Sequence, residues 1–314
     1  MPQPLYNISP PQGEQSDGGI AVSLLDKFDA VEVKAESRIS PSDKNFCIVH
    51  QEAYDHLRKA LTELLEFVEE RIRVREAIVK RAEPDFSISA FGSVSPSKIR
   101  DELMESHEDF ISKLTYHFSS KYNVTLDSNA IKEILIPKKP SNGYHTRNKE
   151  EWDTYVQKMS NMRITYESIL DQIFVQLGGC SFQDKALNEL KEAAHVGAWN
   201  RYHGIKCYEQ KKAVITFTSY ACHWDTWYSG PHISLSDSMK SIVRAVSHFE
   251  TGTMDYLPWG FRELCGYSFE RSEFDLDMDK VKSVKCFKNG RVDIRFTSEA
   301  YAREFIELYL GLEA

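Results

Sequence analysis

The segment from Gln51 to Arg81 constrains the fold most, because it contains neither glycine nor proline. Its apolar residues recur at three- and four-residue steps, the period of one helix face. They are Leu57, Leu61, Leu64, Leu65, Val68, Ile72 and Val79. The segment therefore predicts a long amphipathic helix that Pro84 ends. Serine and proline within Ser93–Lys98 then predict the start of a second helix.

A second apolar pattern runs from Trp152 to Leu177 with alternating three- and four-residue spacing. It predicts one helix of about 26 residues, which Gly178-Gly179 caps. Two long helices of this kind pair with each other most simply as an antiparallel hairpin, but the same apolar positions could meet a second subunit. Four of these side chains are of types enriched at interfaces, so we expect a homo-oligomer, at least a dimer. They are Tyr155, Met159, Met162 and Tyr166.

β character begins near residue 198. Ile205–Tyr208 and Ala213–Tyr220 are short β-prone runs, and Lys282–Thr297 predicts a hairpin with a type I′ turn at Asn289-Gly290. Ser298 can cap a closing helix. The predicted fold is α+β, with a mainly helical N-terminal half of long antiparallel helices and a smaller mixed C-terminal domain. We place a flexible Pro-rich arm and leading segment at 1–46, a helical domain at 47–197 and the α+β domain at 198–314.

Composition and charge exclude several classes of function. The chain has 314 residues, with 39 basic and 47 acidic side chains and a net charge of −8, so nucleic-acid binding would need a local basic patch. No apolar run approaches the roughly 20 residues of a membrane span. The start of the chain lacks the pattern of a secretory signal, and its six cysteines form no CxxC pair, so we expect a cytoplasmic protein with reduced thiols. Glycine-rich phosphate loops and a GxSxG nucleophile motif are absent from the sequence, which predicts no cofactor and no catalytic residue.

The densest group of functional side chains lies between Cys222 and His232. It combines nitrogen and oxygen donors with aromatic rings: His223, Asp225 and His232 beside Trp224, Trp227 and Tyr228. Alternate strand residues share a face, so the donors are weak candidates for a metal site, although spacing fixes no further ligand. The aromatic rings could stack on bases, form a protein-binding hot spot or simply pack on the core.

The C-terminal hairpin predicts a basic surface. A two-residue turn at Asn289-Gly290 would place Lys288 opposite Arg291, and Val284 opposite Arg295, all on one face. Lys288, Arg291 and Arg295 would then form a compact cluster, which is either a solvated face or a contact for phosphate or an acidic partner. The loop Ile136–Lys149 is the most basic stretch of the chain and adds Lys138 and Lys139 as further candidates for contacts with a partner.

The C-terminal region resembles an uncharacterised family of accessory proteins from phages, plasmids and integrated elements. The resemblance is carried by the FKNG turn Phe287–Gly290, the alternating strand Val292–Phe296 and the helix Glu299–Leu310. Tyr208, Lys211, Lys212 and Val214-Ile215 are similar to an upstream element of that family. The resemblance implies a mobile element in conflict with host defences and lends no catalytic residue.

Two functional hypotheses follow. The first is a non-enzymatic protein that inhibits a host anti-phage defence complex by binding it, in the manner of anti-restriction or Gabija anti-defence proteins. The acidic charge, the long apolar seams and the Pro-rich arm favour it. The alternative is a nucleic-acid-binding or metal-dependent DNA-processing protein. That protein would use the basic loop, the basic hairpin and the His223 group.

Overall fold

A computed structural model describes residues 38–140, 149–200, 205–218, 220–225, 232–254 and 256–311. Helices make up the described part of the N-terminal half: α1 (Pro41–Val79), α2 (Pro96–Tyr122), α3 (Ser128–Leu135), α4 (Lys149–Asn161), α5 (Tyr166–Gln176) and α6 (Phe182–Ala198). No helix in these ranges has both the length and the apolar character needed to cross a membrane.

The first two helices begin at serine–proline pairs. The Ser40 side chain accepts a hydrogen bond from the backbone N–H of Asp43, and Ser95 caps α2 in the same way, as predicted for that helix. The Ser40–Pro41 cap places the start of α1 well before Gln51. At its other end, α2 stops at Asn123, which adopts a left-handed conformation with φ of 53°.

α1 and α2 form the long antiparallel hairpin of the molecule. Near the connecting loop, Arg100 of α2 forms an ion pair with Glu69 of α1. Farther along, the rings of Tyr54 and Phe110 stack with centroids 4.5 Å apart. The expected long antiparallel helices are therefore α1 and α2, and the Trp152–Leu177 segment is not the second arm of this hairpin.

The Trp152–Leu177 segment is also not one helix. It is divided into α4 and α5, because Thr165 caps a new helix by accepting a hydrogen bond from the backbone N–H of Ser168. The backbone at the break is held by α1: Gln51 donates to the carbonyl of Ile164 and accepts from the N–H of Tyr166. Contacts with another helix therefore interrupt a pattern that is regular in sequence.

The C-terminal half is built from short strands and three further helices. In chain order the elements are β1 (Trp199–Asn200), β2 (Ile205–Lys206), β3 (Tyr208–Lys211), β4 (Val214–Phe217), β5 (Cys222–Asp225), β6 (His232–Leu235), α7 (Asp237–Thr251), α8 (Trp259–Leu264), β7 (Glu273–Asp275), β8 (Val281–Cys286), β9 (Val292–Phe296) and α9 (Glu299–Phe305), which continues as a π-helix over Ile306–Leu310. The α+β fold with a helical N-terminal half is confirmed.

The main sheet has the strand order β3-β4-β9-β8-β7, and each neighbouring pair is antiparallel. Its inner face packs on α7 and α9, where Phe249 makes edge contacts with Phe296 and Phe305. A separate two-stranded ladder pairs β5 with β6. The two larger hydrophobic cores are the helical core, in the N-terminal half, and the sheet core, beneath the main sheet. α6 contributes to both, with Phe182 and Ala186 in the helical core and Leu190 and Ala194 in the sheet core.

Candidate functional site

The β5–β6 ladder sets which side chains of the His223 group share a face. Asp225 lies opposite His232, and His223 lies opposite Ser234, so all three predicted donors point to the same side. Trp224, on the other side, is half-buried and packs on the sheet core. The remaining two aromatic candidates, Trp227 and Tyr228, lie outside the described residues.

The shared face of His223, Asp225 and His232 was the basis for the metal-site hypothesis. Among the described residues, no group of three or more His, Cys, Asp or Glu side chains is placed so that it could hold a metal ion. The alternation along the strand therefore brings the three donors to one face without assembling a chelating cluster in this part of the chain.

The turn between β8 and β9 is one residue longer than predicted. The N–H of Phe287 donates to the carbonyl of Arg291 at 2.9 Å, and the N–H of Gly290 donates to the carbonyl of Phe287 at 2.9 Å. Gly290 has a positive φ of 81°, whereas Asn289 does not. A type I′ turn requires positive φ at both residues, so the prediction of that turn is wrong.

This longer turn shifts the register of the hairpin by one residue. Val284 lies opposite Ile294, and Cys286 lies opposite Val292, and all four are buried on the inner face. The predicted pairing of Val284 with Arg295 is therefore wrong, because a one-residue shift moves every side chain of one strand to the other face. The predicted alternation within Val292–Phe296 itself is confirmed.

The three predicted basic residues do not form one compact cluster. Arg291 and Arg295 share the outer face of β9, but four residues separate them, which is about 13 Å along a strand. Arg291 pairs with Asp293 at 3.2 Å, and its guanidinium lies 3.9 Å from the centroid of the Phe287 ring. The Lys288 ammonium lies 6.0 Å from the centroid of the Trp224 ring.

The β5 strand and the FKNG turn pack directly against each other. The N–H of Cys222 donates to the carbonyl of Gly290 at 3.2 Å, and its sulfur lies 3.5 Å from the carbonyl oxygen of Phe287. A Cβ atom at Gly290 would lie only 3.3 Å from the Cys222 carbonyl oxygen, so glycine permits this close approach. Trp224 and Lys288, which belong to two groups selected separately from the sequence, therefore meet at one surface. We call it the two-hairpin surface: Trp224, Lys288 and Arg291.

Two buried thiols lie beneath this surface. A hydrogen bond from the Cys286 thiol lowers the pKa of Cys222, with further contributions from the Phe287 backbone and the Trp224 side chain, and these outweigh the opposing effect of burial. The same hydrogen bond, together with burial, raises the pKa of Cys286. Both side chains are 2% exposed, so they support the junction of the two hairpins and are not part of its outer face.

Lys138 and Lys139 lie in the helical half, after α3. The Lys139 ammonium is 5.7 Å from the centroid of the Trp152 ring, and Lys138 lines a shallow cleft with Glu150 and Tyr155 of α4. Most of the basic loop, residues 141–148, lies outside the described residues.

The predicted oligomer seam is largely occupied within the chain. Tyr155, Met159 and Tyr166 are at most 8% exposed, and Met162 packs against the helical core. The Tyr155 hydroxyl donates to the sulfur of Met104. Self-association stays a prediction, and it would need a different surface.

The sequence analysis missed a buried polar cluster at the open end of the α1–α2 hairpin. Its centre is Asp43, which is fully buried and accepts hydrogen bonds from four side chains: Ser40, His117, Lys121 and Tyr122. The Ser-Pro-x-Asp order at residues 40–43 signals a helix start, but it does not reveal the partners on α2. Three of these contacts join the start of α1 to the end of α2, and Ser40 is the N-cap of α1 itself, so the cluster stabilises the fold.

Comparison with protein-family models, with curated proteins and with solved structures gives no match.

Proposed function

We propose that this chain is a non-enzymatic protein of a phage or other mobile element, which inhibits a host anti-phage defence complex by binding it in the host cytoplasm. The two-hairpin surface is the proposed contact. The observation that supports it is the packing of β5 on the FKNG turn, which joins aromatic and cationic side chains distant in sequence. The resemblance of the C-terminal region supplies the class of target.

The chemistry of this region favours a protein partner over nucleic acid. Two cations on the outer sheet face are paired with neighbouring carboxylates: Arg291 with Asp293, and Lys285 with Glu273 at 2.7 Å. Binding to a phosphate backbone depends on uncompensated cations that displace counterions. By contrast, Lys288 beside Trp224 and Arg291 over Phe287 present the combination of aromatic and cationic groups that is typical of protein-binding hot spots.

One observation favours the alternative of a nucleic-acid-binding or DNA-processing protein. Within the described part of the chain, Lys288 and Arg295 have no carboxylate partner, so two cations remain for phosphate. Binding of this kind would weaken steeply as salt concentration rises.

Affinity capture tests the proposal. Tagged wild-type chain is used to capture partners from cells that carry a panel of defence systems, with nuclease treatment of every lysate. We expect one stoichiometric, nuclease-resistant defence complex. The variant Lys288→Glu should lose it, whereas the matched charge reversal Lys98→Glu should keep it, because Lys98 is exposed on the first turn of α2. Recovery of DNA-dependent partners alone would refute the proposal and favour the alternative.

A further inference from the structure

α1 carries a second apolar seam that no described residue covers. Five large side chains on this face are 41–58% exposed. They are Leu57, Leu64, Phe67, Val74 and Ile78, separated by seven, three, seven and four residues. This is the heptad spacing of a helix that pairs with another helix. The seam that contacts α2 uses different residues, among them Tyr54, Leu65 and Val68, which are buried.

The exposed seam is too long to be a chance scatter of surface hydrophobic residues. From Leu57 to Ile78 it runs for about 32 Å at 1.5 Å per residue. At its Leu57 end it continues into an apolar groove of about 580 Å³ between α1 and α2, where Tyr116 is 71% exposed. A continuous exposed apolar strip of this kind marks an interaction site.

Charge along α1 is strongly polarised. The stretch 51–70 is acidic, with Glu52, Asp55, Glu63, Glu66, Glu69 and Glu70 against Arg58 and Lys59. The stretch 71–81, which runs two residues past the end of α1, is basic, with Arg71, Arg73, Arg75, Lys80 and Arg81 against Glu76. A parallel pair of such helices would bring like charges together. An antiparallel pair with its two-fold axis near residue 71 places Arg73 and Arg75 of each helix beside Glu66, Glu69 and Glu70 of the other, so this part of the seam is complementary to itself.

We propose that the α1 seam is the docking site for a second copy of this chain. The two copies pack antiparallel about a two-fold axis, and their α1–α2 hairpins together form a four-helix bundle. A two-fold interface requires the same patch on both copies, and the polarised charge of α1 provides that self-complementarity. This dimer is independent of the proposed function and of its target.

The mass of the purified full-length chain in solution tests the dimer. Light scattering across micromolar concentrations should give twice the 36.2 kDa of one chain. The double variant Leu64→Ser with Phe67→Ser should bind its copy about a hundredfold more weakly or worse, because both residues lie at the centre of the seam. A matched control is Ile134→Ser with Val175→Ser, whose side chains are 63% and 70% exposed on α3 and α5, and it should remain dimeric. Circular dichroism checks that each variant folds.

Charge reversal tests the orientation. Arg73→Glu with Arg75→Glu, or Glu63→Lys with Glu66→Lys, should each weaken the dimer, because the changed residues would then face like charges on the other copy. All four residues are exposed. Mixing the two variants should restore dimerisation as a heterodimer, because the reversed charges then face charges of opposite sign. A monomeric wild type, or a Leu64→Ser, Phe67→Ser variant that stays dimeric, would overturn the proposal. Charge-reversed variants that dimerise like the wild type would overturn the antiparallel arrangement.

Discussion

Replacing Asp43 by Asn should destabilise the protein markedly while leaving its shape unchanged. The carboxylate receives hydrogen bonds from Ser40 at 2.5 Å, Tyr122 at 2.6 Å, Lys121 at 2.7 Å and His117 at 2.8 Å. An amide of the same size removes the negative charge and replaces one accepting oxygen with a donating nitrogen. That nitrogen would face donors, so at least one buried hydrogen bond is lost.

The expected cost follows from these contacts. A hydrogen bond to a buried charged group contributes about 1.5–3 kcal/mol, and the loss of one partner from a buried ion pair costs about 3–5 kcal/mol. The Lys121 side chain is 38% exposed, so water compensates part of its lost partner. We therefore expect the free energy of unfolding to fall by about 3 kcal/mol.

Urea unfolding monitored by circular dichroism measures this change as a lower midpoint with an unchanged slope. The control is Asp109→Asn, an exposed carboxylate on α2, which should change stability by less than about 0.5 kcal/mol. A loss below about 1 kcal/mol in Asp43→Asn would show that the four contacts contribute little net stability.

The pKa of Asp43 predicts how the stability of the protein depends on pH. Burial alone would raise the pKa of Asp43, but hydrogen bonds from Lys121, Ser40, Tyr122 and His117 outweigh it and hold the pKa far below its usual range. Because the pKa of this carboxyl is lower in the folded than in the unfolded state, its ionised form stabilises the fold at pH values above the unfolded-state pKa, which is near 4. That stability is lost as the pH falls further. The difference between wild type and Asp43→Asn should therefore shrink from about pH 4 downward. A constant difference down to pH 2 would contradict this assignment.

Three further predictions concern buried contacts. Tyr54→Phe should cost about 1–3 kcal/mol in urea unfolding, because it removes a hydroxyl 2.8 Å from Nδ1 of the fully buried His107. Gly290→Ala should cost about 1–2 kcal/mol in the same assay, because φ is 81° there and the added Cβ meets a backbone carbonyl; an unchanged midpoint would refute the strain. Cys286→Ala should raise the pKa of Cys222 because it removes the thiol that donates to the Cys222 sulfur, and ultraviolet titration of the thiolate would detect the change.

Local signals in the sequence were enough to predict some elements but not how they combine. The Ser95–Pro96 start of α2 needs only its own residues, so it could be predicted. The break between α4 and α5 could not be predicted in this way, because Thr165 is a single N-cap signal and the apolar spacing of Trp152–Leu177 continues on both sides of it. The break depends on Gln51 of α1, whose side chain forms hydrogen bonds with the backbone of Ile164 and Tyr166.

The C-terminal hairpin shows the same limit at the scale of one residue. Asn-Gly fits a two-residue type I′ turn, but it also fits a three-residue loop with Gly290 in the left-handed region. In the structure, Cys222 donates to the Gly290 carbonyl, a contact between residues far apart in sequence. The face of each β8 side chain and the joining of the two candidate groups into the two-hairpin surface both depend on this packing.

The two apolar seams of α1 show why periodicity alone does not locate the surface for self-association. Periodicity counts apolar positions but does not show which of them the rest of the chain covers; Tyr54 and Leu57 follow the same spacing, yet only Tyr54 is buried. If dimers form through α1, each carries two copies of the two-hairpin surface, and a target with repeated subunits would be held more tightly than by one copy. The variant Leu64→Ser with Phe67→Ser should then capture less target although that surface is intact. Equal capture by monomer and dimer would show that each copy acts alone.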